Sequence, residues 1–369
     1  LKATFSRKPL LDAFNTVSSV APTRSPKPIL QNVKLSLRDG EASLSATDLE
    51  VAITHQVDGV SLIDDGQAIL PAIRFGSILK TSSDDELTIE VADDKLMIRA
   101  KRSKFALPRE DPDLFPSIGE FESENYKSLA AGDIRKLVRR THFAADLDSA
   151  RYALGGALVE YTDDSLIFVC TDGRRLAKAS VPAETVGDLD FGQPVLPLKS
   201  MRLIDKAIND DGDLAHFAIK VGTSAMVRTS QATVYARLVE GRFPRYADVF
   251  PKTCTLSVPI VAGAFRSAID QAAVVTSDES RAVSFRFSKT GIELSSRSAD
   301  IGESKVELPM EIDAEEDLVV DMDNRFAGEG IKSLDPESEL AVDLVDSKSP
   351  VTFRLGDEFT YVVMPLTRD

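Results

Sequence analysis

The chain has 369 residues, enough for two or three domains, and its 43% hydrophobic and 28% charged residues are the balance of a soluble globular protein. No apolar run approaches the roughly 18–20 residues that a bilayer span needs, and the opening "LKATFSRKPLLDAF" carries no secretory apolar core. The formal net charge of −15 speaks against nucleic acid unless the positive charges are segregated.

The first element is a helix, "RKPLLDAFNTVS", with Leu10, Leu11, Phe14 and Val17 on one face. Alternating strands follow, joined by the turn "RDG" (38–40) and leading through "LSATDLEVAI" (44–53). A second helix starts near Pro71 in "GQAILPAIRFGSILK" (66–80), where the missing proline N–H would be unpaired in any case. Closing strands end at "SKFALP" (103–108), and "DLFPSI" (113–118) follows. The same order then recurs. A helix is expected over 132–142, a turn at "TDD" (162–164), a strand pair through "FVCTDGRRLA" (168–177), and a helix near Pro197 in "GQPVLPLKSMRLIDK" (192–206), before "GRFPRY" (241–246). The matching segments are offset by 124, 126 and 128 residues, so the chain repeats itself.

A third, fainter copy begins with a helix over 261–271 and the alternating "AVSFRFSKTGIELSSRS" (282–298). It continues through "DLVVDMDNRFAGEGIK" (317–332), where Gly328 and Gly330 should weaken the helix, and closes at "FTYVVMP" (359–365). The fold class is therefore α+β, in three repeated domains, 1–122, 123–252 and 253–369, each made of two β-rich half-units with one helix apiece.

The six helix windows, 7–18, 71–81, 132–142, 198–208, 261–271 and 324–334, hold 14 Lys and Arg against 5 Asp and Glu, while the rest of the chain holds 30 against 54. Glu favours helices as much as Lys does, yet Glu329 is the one Glu in all six windows. An acidic protein has placed its positive charge on one element type, which suits phosphate contacts that carry no sequence information.

"TDGRRLA" reads locally as a turn, because Asp-Gly tolerates positive φ. Thr171, Asp172, Arg174 and Arg175 also have the composition of a phosphate or carboxylate site. Asp48, the repeat partner of Asp172, sits in "ATDLE" without the arginines, which weakens a catalytic reading. No P-loop, HExxH, GxSxG or paired Cys/His set occurs. Cys170 and Cys254 fit no metal or redox spacing, and His55, His142 and His216 stand apart, so no metal and no cofactor is expected. An adhesive β-repeat protein is the main rival, but it leaves the basic helices unexplained.

Taken together, the three repeats with "ATDLE", "TDGRRLA", "GRFPRY" and the terminal "YVVMP", in that order, resemble the bacterial DNA polymerase III β subunit, the sliding-clamp family, over the whole chain. The resemblance implies a head-to-tail homodimeric ring with helices lining the hole and sheets outside. It implies a non-catalytic, cytoplasmic processivity factor that encircles double-stranded DNA without reading its sequence. The ring tethers the replicative polymerase, the clamp loader and repair proteins through short peptide motifs, with no membrane involved. The implied peptide pocket comprises Leu154, Thr171, Gly173, Arg174, Arg175, Leu176, Pro244, Val249, Val362, Val363, Met364, Pro365 and Leu366. Implied DNA contacts are Arg24 in the loop 21–30 and, on the basic helices, Arg74, Arg135, Arg139, Lys199 and Arg202. The implied dimer seam sets Phe105 and Leu107 against Val274 and Val275. Arg174 where the family often has His, Asp248, and the acidic end at Asp369 depart from the pattern and bear on peptide preference.

Overall fold

The computed structural model describes every residue except 147–151, 191, 278–279 and 367–369, so Asp369 lies outside the described residues. A strand delivers the chain directly into each helix. Lys2–Ser6 runs into α1 (Arg7–Ser18), Gly66–Pro71 into α2 (Ala72–Thr81) and Tyr126–Ala130 into α3 (Ala131–Thr141). Val195–Pro197 runs into α4 (Leu198–Ala207), Leu256–Val261 into α5 (Ala262–Ala272) and Leu318–Asp323 into α6 (Asn324–Lys332). Pro71 and Pro197 close their strands as N-cap residues, both at φ −59°, rather than sitting inside the first turn.

Loops elsewhere in the chain supply the caps that helix N-termini need. The Arg7 N–H donates to the Asp85 carbonyl at 2.7 Å, Ala131 to Asp213 at 2.8 Å, and Ala262 to Ser338 at 2.9 Å. Gly132 and Gly263 donate in turn to the Asp211 and Pro336 carbonyls, at 3.0 and 2.8 Å. A Cβ on Gly263 would lie 2.9 Å from that carbonyl oxygen, so the close approach requires glycine.

The contacts divide into two compact units, Leu1–Arg135 with Ala183–Leu238, and Lys136–Pro182 with Val239–Asp369. The first unit holds a five-stranded sheet ordered Val60–Asp64, Lys2–Ser6, Glu86–Ala92, Lys95–Arg99, Lys104–Pro108. It also holds a nine-stranded sheet ordered Glu184–Val186, Tyr126–Ala130, Leu214–Lys220, Ser224–Arg228, Ala232–Arg237, Val51–Gln56, Glu41–Thr47, Asn32–Arg38, Gly66–Pro71. Within the second unit, one sheet runs Gly156–Tyr161, Ser165–Thr171, Arg175–Pro182, Phe359–Val363, Val351–Leu355, Glu339–Leu344, Leu256–Val261. The other runs Gly302–Pro309, Gly291–Ser298, Ala282–Ser288, Leu318–Asp323.

Half-units are thus not self-contained. Lys2–Ser6 pairs with Glu86–Ala92 beyond α2, while Gly66–Pro71 returns to Asn32–Arg38 before it. In the third repeat Leu256–Val261 pairs with Glu339–Leu344, and Leu318–Asp323 with Ala282–Ser288. Each half lends its first strand to the other. Repeats are also stitched to one another: Val234 pairs with Ile53, and Leu176 with Val362.

Helices cover the apolar sheet faces. In α1, Leu10, Ala13, Phe14 and Val17 are buried, with Leu11 at the margin. Phe14 meets Phe75 of α2 edge-on at 5.0 Å between ring centroids. No helix is long and apolar enough to cross a membrane among the described residues. The glycines of α6 are a packing device: a Cβ on Gly330 would lie 2.3 Å from Tyr361 Cδ1. That ring is fully buried, and its hydroxyl donates to the Phe326 carbonyl at 2.7 Å.

Two outcomes are expected. Gly330→Ala should destabilise the protein in urea titration by about 1–3 kcal/mol, because overpacking outweighs the roughly 1 kcal/mol gain in helix propensity; a more stable variant would contradict this packing. Burial pushes the Cys170 thiol up to about 12, so it stays protonated at pH 8, whereas Cys254 is exposed. Alkylation of the native protein should therefore modify Cys254, and Cys170 only after unfolding.

Candidate functional site

The two Thr-Asp hairpins are built alike. Thr171 Oγ1 donates to the Arg175 carbonyl at 2.6 Å, and Asp172 Oδ1 accepts from the Arg174 and Arg175 amides at 2.9 and 3.0 Å. In the first repeat, Thr47 Oγ1 donates to the Val51 carbonyl at 2.9 Å, and Asp48 Oδ1 accepts from the Glu50 and Val51 amides at 3.0 and 2.8 Å. Thr-Asp is therefore a turn clamp, with its carboxylate committed to backbone amides. Gly173 takes the left-handed position at φ +86°, which Leu49 occupies in the first copy at φ +79°.

What the second hairpin adds is Arg175, whose side chain is only 10% exposed. Its Nε donates to Asp172 Oδ2 at 2.9 Å, one terminal nitrogen pairs with Glu329 of α6, and the other donates to the Phe143 carbonyl at 2.6 Å. The guanidinium also lies 4.4 Å from the centroid of the Phe326 ring. Arg175 is thus a structural tie rather than a surface ligand. Glu329, Phe143 and Phe326 were absent from the expected site. Glu329 did leave a trace, as the lone Glu of the helix windows; the two phenylalanines left none.

The chain's far end lies against this hairpin. Arg175 pairs with Val363 and Leu176 with Val362. Beyond the strand, the Met364 amide donates to the Arg174 carbonyl at 2.9 Å and the Leu366 amide to Asp321 at 2.8 Å. Leu154, Thr171, Leu176, Val362 and Val363 are buried, whereas Met364 and Leu366 are each 40% exposed. Pro365 is half-buried; Gly173, Arg174, Pro244 and Val249 are exposed.

A second group forms beside Leu154. A Cβ on Gly241 would meet Ala153 Cβ at 3.6 Å, and Arg242, Phe243, Pro244 and Arg245 line a concavity of about 430 Å³. The turn Tyr246–Val249 is pinned by the Tyr246 hydroxyl, which donates to Glu160 at 2.6 Å. Burial and that carboxylate push the Tyr246 phenol well above its ordinary pKa, so it remains a donor. Lys178, on the same strand as Leu176, lies 6.0 Å from the Tyr246 ring centroid and joins the two groups across one sheet face.

The expected DNA contacts fare unevenly. Arg24, Arg74, Arg139, Lys199 and Arg202 reach the surface. Arg135 does not: its side chain is 17% exposed, bound to Asp211 and the Ile208 carbonyl, with Asp205 at 3.5 Å. Two carboxylates neutralise it, so Arg135 is corrected to a structural residue. Lys199 is surface-exposed but paired with Asp48. Other helical cations face acids too: Arg140 meets Glu358 at 3.1 Å, Arg266 meets Asp270 at 2.8 Å and Arg325 meets Asp323 at 3.5 Å. Arg74, Lys80, Arg202 and Lys332 form no salt bridge among the described residues. In the first unit α1 packs on both α2 and α4, so Arg74, Lys80 and Arg202 share one helical layer.

Phe105 and Leu107 are half-buried on Lys104–Pro108, the end strand of the five-stranded sheet. Val274 is 76% exposed, and Val275 is half-buried. Beside them, Ser304 Oγ donates to the Ala272 carbonyl at 2.7 Å, which places Gly302–Pro309, another sheet-end strand, at the same margin. That strand was missing from the expected seam.

Comparison with known proteins identifies the fold as that of a sliding clamp. The crystal structure of the DNA polymerase III subunit beta from Pseudomonas aeruginosa superimposes with a TM-score of 0.89 at 26% identity, covering 100% of both chains. The Pseudomonas aeruginosa sliding clamp bound to griselimycin gives 0.90 at 26% identity, over 100% of this chain and 99% of that one. The beta sliding clamp of Escherichia coli K12 is 27% identical over 380 residues, 99% of this chain and 100% of the relative. Residues 1–119, 128–245 and 247–367 match the N-terminal, central and C-terminal domains of the DNA polymerase III beta subunit. The chain belongs to that family.

Arg175→Ala should cost about 1–3 kcal/mol of stability in urea titration, since Asp172 Oδ2 and the Phe143 carbonyl lose their donor while the more exposed Glu329 regains water. A loss below about 0.5 kcal/mol would mark the tie as incidental.

Proposed function

We propose that this clamp closes into a head-to-tail homodimeric ring around duplex DNA and tethers partner proteins through the hairpin–tail site. The observation that carries the reading is a rule of strand pairing. The last strand of the second repeat, Ala232–Arg237, pairs with Val51–Gln56, which follows the Thr-Asp turn of the first. The last strand of the third, Phe359–Val363, pairs with Arg175–Pro182 of the second. Applied once more, the rule calls for Lys104–Pro108, the last strand of the first repeat, to pair with Gly302–Pro309 of the third. Both end their sheets. Pairing between two copies satisfies both edges, and edges of this kind invite such pairing. Charge agrees in part: Lys101, Arg102 and Lys104 flank one edge, and Glu303 lies on the other, where Glu307 is paired with Lys305.

The repeats meet near residues 122 and 252 in this reading. Arg24, Arg74, Arg139, Lys199 and Arg202 contact phosphates, Lys199 by exchanging Asp48 for DNA. Such contacts are weak and independent of sequence, and topological linkage makes weakness tolerable. The docking site presents Met364, Leu366, Val249 and Pro244 at the surface over a floor of Leu176 and Val362. A peptide with apolar anchors fits such a site, and a docked replicative polymerase, clamp loader or repair protein is then held at high effective concentration on the template. The protein carries no catalytic step of its own and works in the bacterial cytosol.

Loaded on closed circular DNA, the protein should stay bound through gel filtration and be lost when the circle is linearised; equal retention on linear DNA would overturn encirclement. Replacing Met364 and Leu366 by Ala should weaken a polymerase-derived peptide by about 1–2 kcal/mol in fluorescence anisotropy, and unchanged affinity would move the site elsewhere.

A further inference from the structure

The sheet face that carries Leu176 and Val362 does not end with them. Sheet register places Thr352 opposite Val362, and Thr360 opposite both Lys178 and Arg354. Cross-strand partners share a face, and so do residues two apart along a strand. Lys178, Thr352, Arg354 and Thr360 therefore continue the surface that Leu176 and Val362 begin. The segment Phe250–Cys254 borders it, and together they line an open cavity of about 390 Å³.

The character of this cavity is opposite to that of the apolar site beside it. Lys178, Lys252 and Arg354 line it, against the single carboxylate of Asp343. Asp343 is already engaged, by Arg354 and by Ser257 Oγ at 2.6 Å. Thr352 also lines the cavity; it is 6% exposed, and its Oγ1 is buried without a hydrogen-bond partner among the described residues. A buried hydroxyl left unpaired is costly, and it donates well to an anionic oxygen. Cationic side chains with an unmet donor at the floor describe an anion subsite. Its place on the same face as the apolar floor says which anion: one carried by the molecule docked there.

We propose that this cavity receives a carboxylate side chain of the docked partner peptide, an Asp or Glu lying outside the apolar anchors. The inference rests on the docking role proposed above. Apolar anchors supply contact area at Met364 and Leu366. The carboxylate fixes direction along the groove by pairing with Lys178 and Lys252 and accepting from Thr352.

The test uses the full-length protein and a polymerase-derived anchor peptide extended by three residues at either end, with Glu or Gln in the extension. Anisotropy at low salt is expected to show the Glu form binding about fivefold tighter than the Gln form for one of the two extensions. That preference should fall in Lys252→Gln, with the Gln peptide's affinity unchanged, and should vanish in Lys178→Gln/Lys252→Gln, read as the ratio of the two peptides' affinities. Cys254 lines the same cavity and is exposed, so its alkylation rate is a second readout: the Glu peptide should slow it more than the Gln peptide does. Equal binding of Glu and Gln forms at both extensions overturns the subsite while leaving the docking role intact. A Glu preference that survives in the double variant also overturns it. Failure of every peptide to bind overturns the docking role, and the subsite with it.

Discussion

Antiparallel pairing between the last strand of one repeat and the post-hairpin strand of the repeat before it is the interaction on which the rest of this chain depends. It fuses separate repeats into continuous sheets, at Ala232–Arg237 with Val51–Gln56 and at Phe359–Val363 with Arg175–Pro182. At both seams the C-terminal end of the strand or the residue just beyond it donates to the hairpin loop: Arg237 N–H to the Glu50 carbonyl at 2.8 Å, Met364 N–H to the Arg174 carbonyl at 2.9 Å. The Thr-Asp clamp holds each loop in the shape that accepts this bond. A turn that looks catalytic in isolation is thus first a joint. The proposed docking site is that joint elaborated with Arg175, Glu329 and the exposed Met364 and Leu366.

The exchange of first strands between half-units has a related consequence. Neither half can complete its sheet alone, so cooperative units extend beyond a half. The helices satisfy their first turns from loops distant in sequence, with Asp85, Asp211, Asp213, Pro336 and Ser338 supplying carbonyls. Side-chain caps are correspondingly scarce: α1, α2, α4 and α5 lack them, and α6 has one from Asp323 to the Arg325 amide at 2.9 Å.

Much of this was legible in the residues. Helix positions follow local periodicity, and the windows predicted for α1 to α6 agree with the structure to within about two residues at the ends. Thr-Asp as scaffold was legible because two copies could be compared. What was not legible depends on partners distant in sequence. Nothing near Arg135 announces that Asp205 and Asp211 will neutralise it, and Asp48 is 151 residues from the Lys199 it pairs with. The helical charge excess is real as a count, but neighbouring carboxylates offset part of it, leaving Arg7, Arg74, Lys80, Arg202, Lys206 and Lys332 without a salt bridge among the described residues. Gly302–Pro309 was overlooked as an edge because its strand pattern reads like any other; which strand ends a sheet is decided by topology.

The central claim, that a second copy continues the pairing rule, is tested most directly by hydrogen exchange read by mass spectrometry across a dilution series. Amides in Lys104–Pro108 and Gly302–Pro309 should be protected together at high protein concentration and lose that protection together on dilution, while those in Arg175–Pro182 stay protected throughout. Exchange of either strand at the rate of a free edge at every concentration would contradict the account.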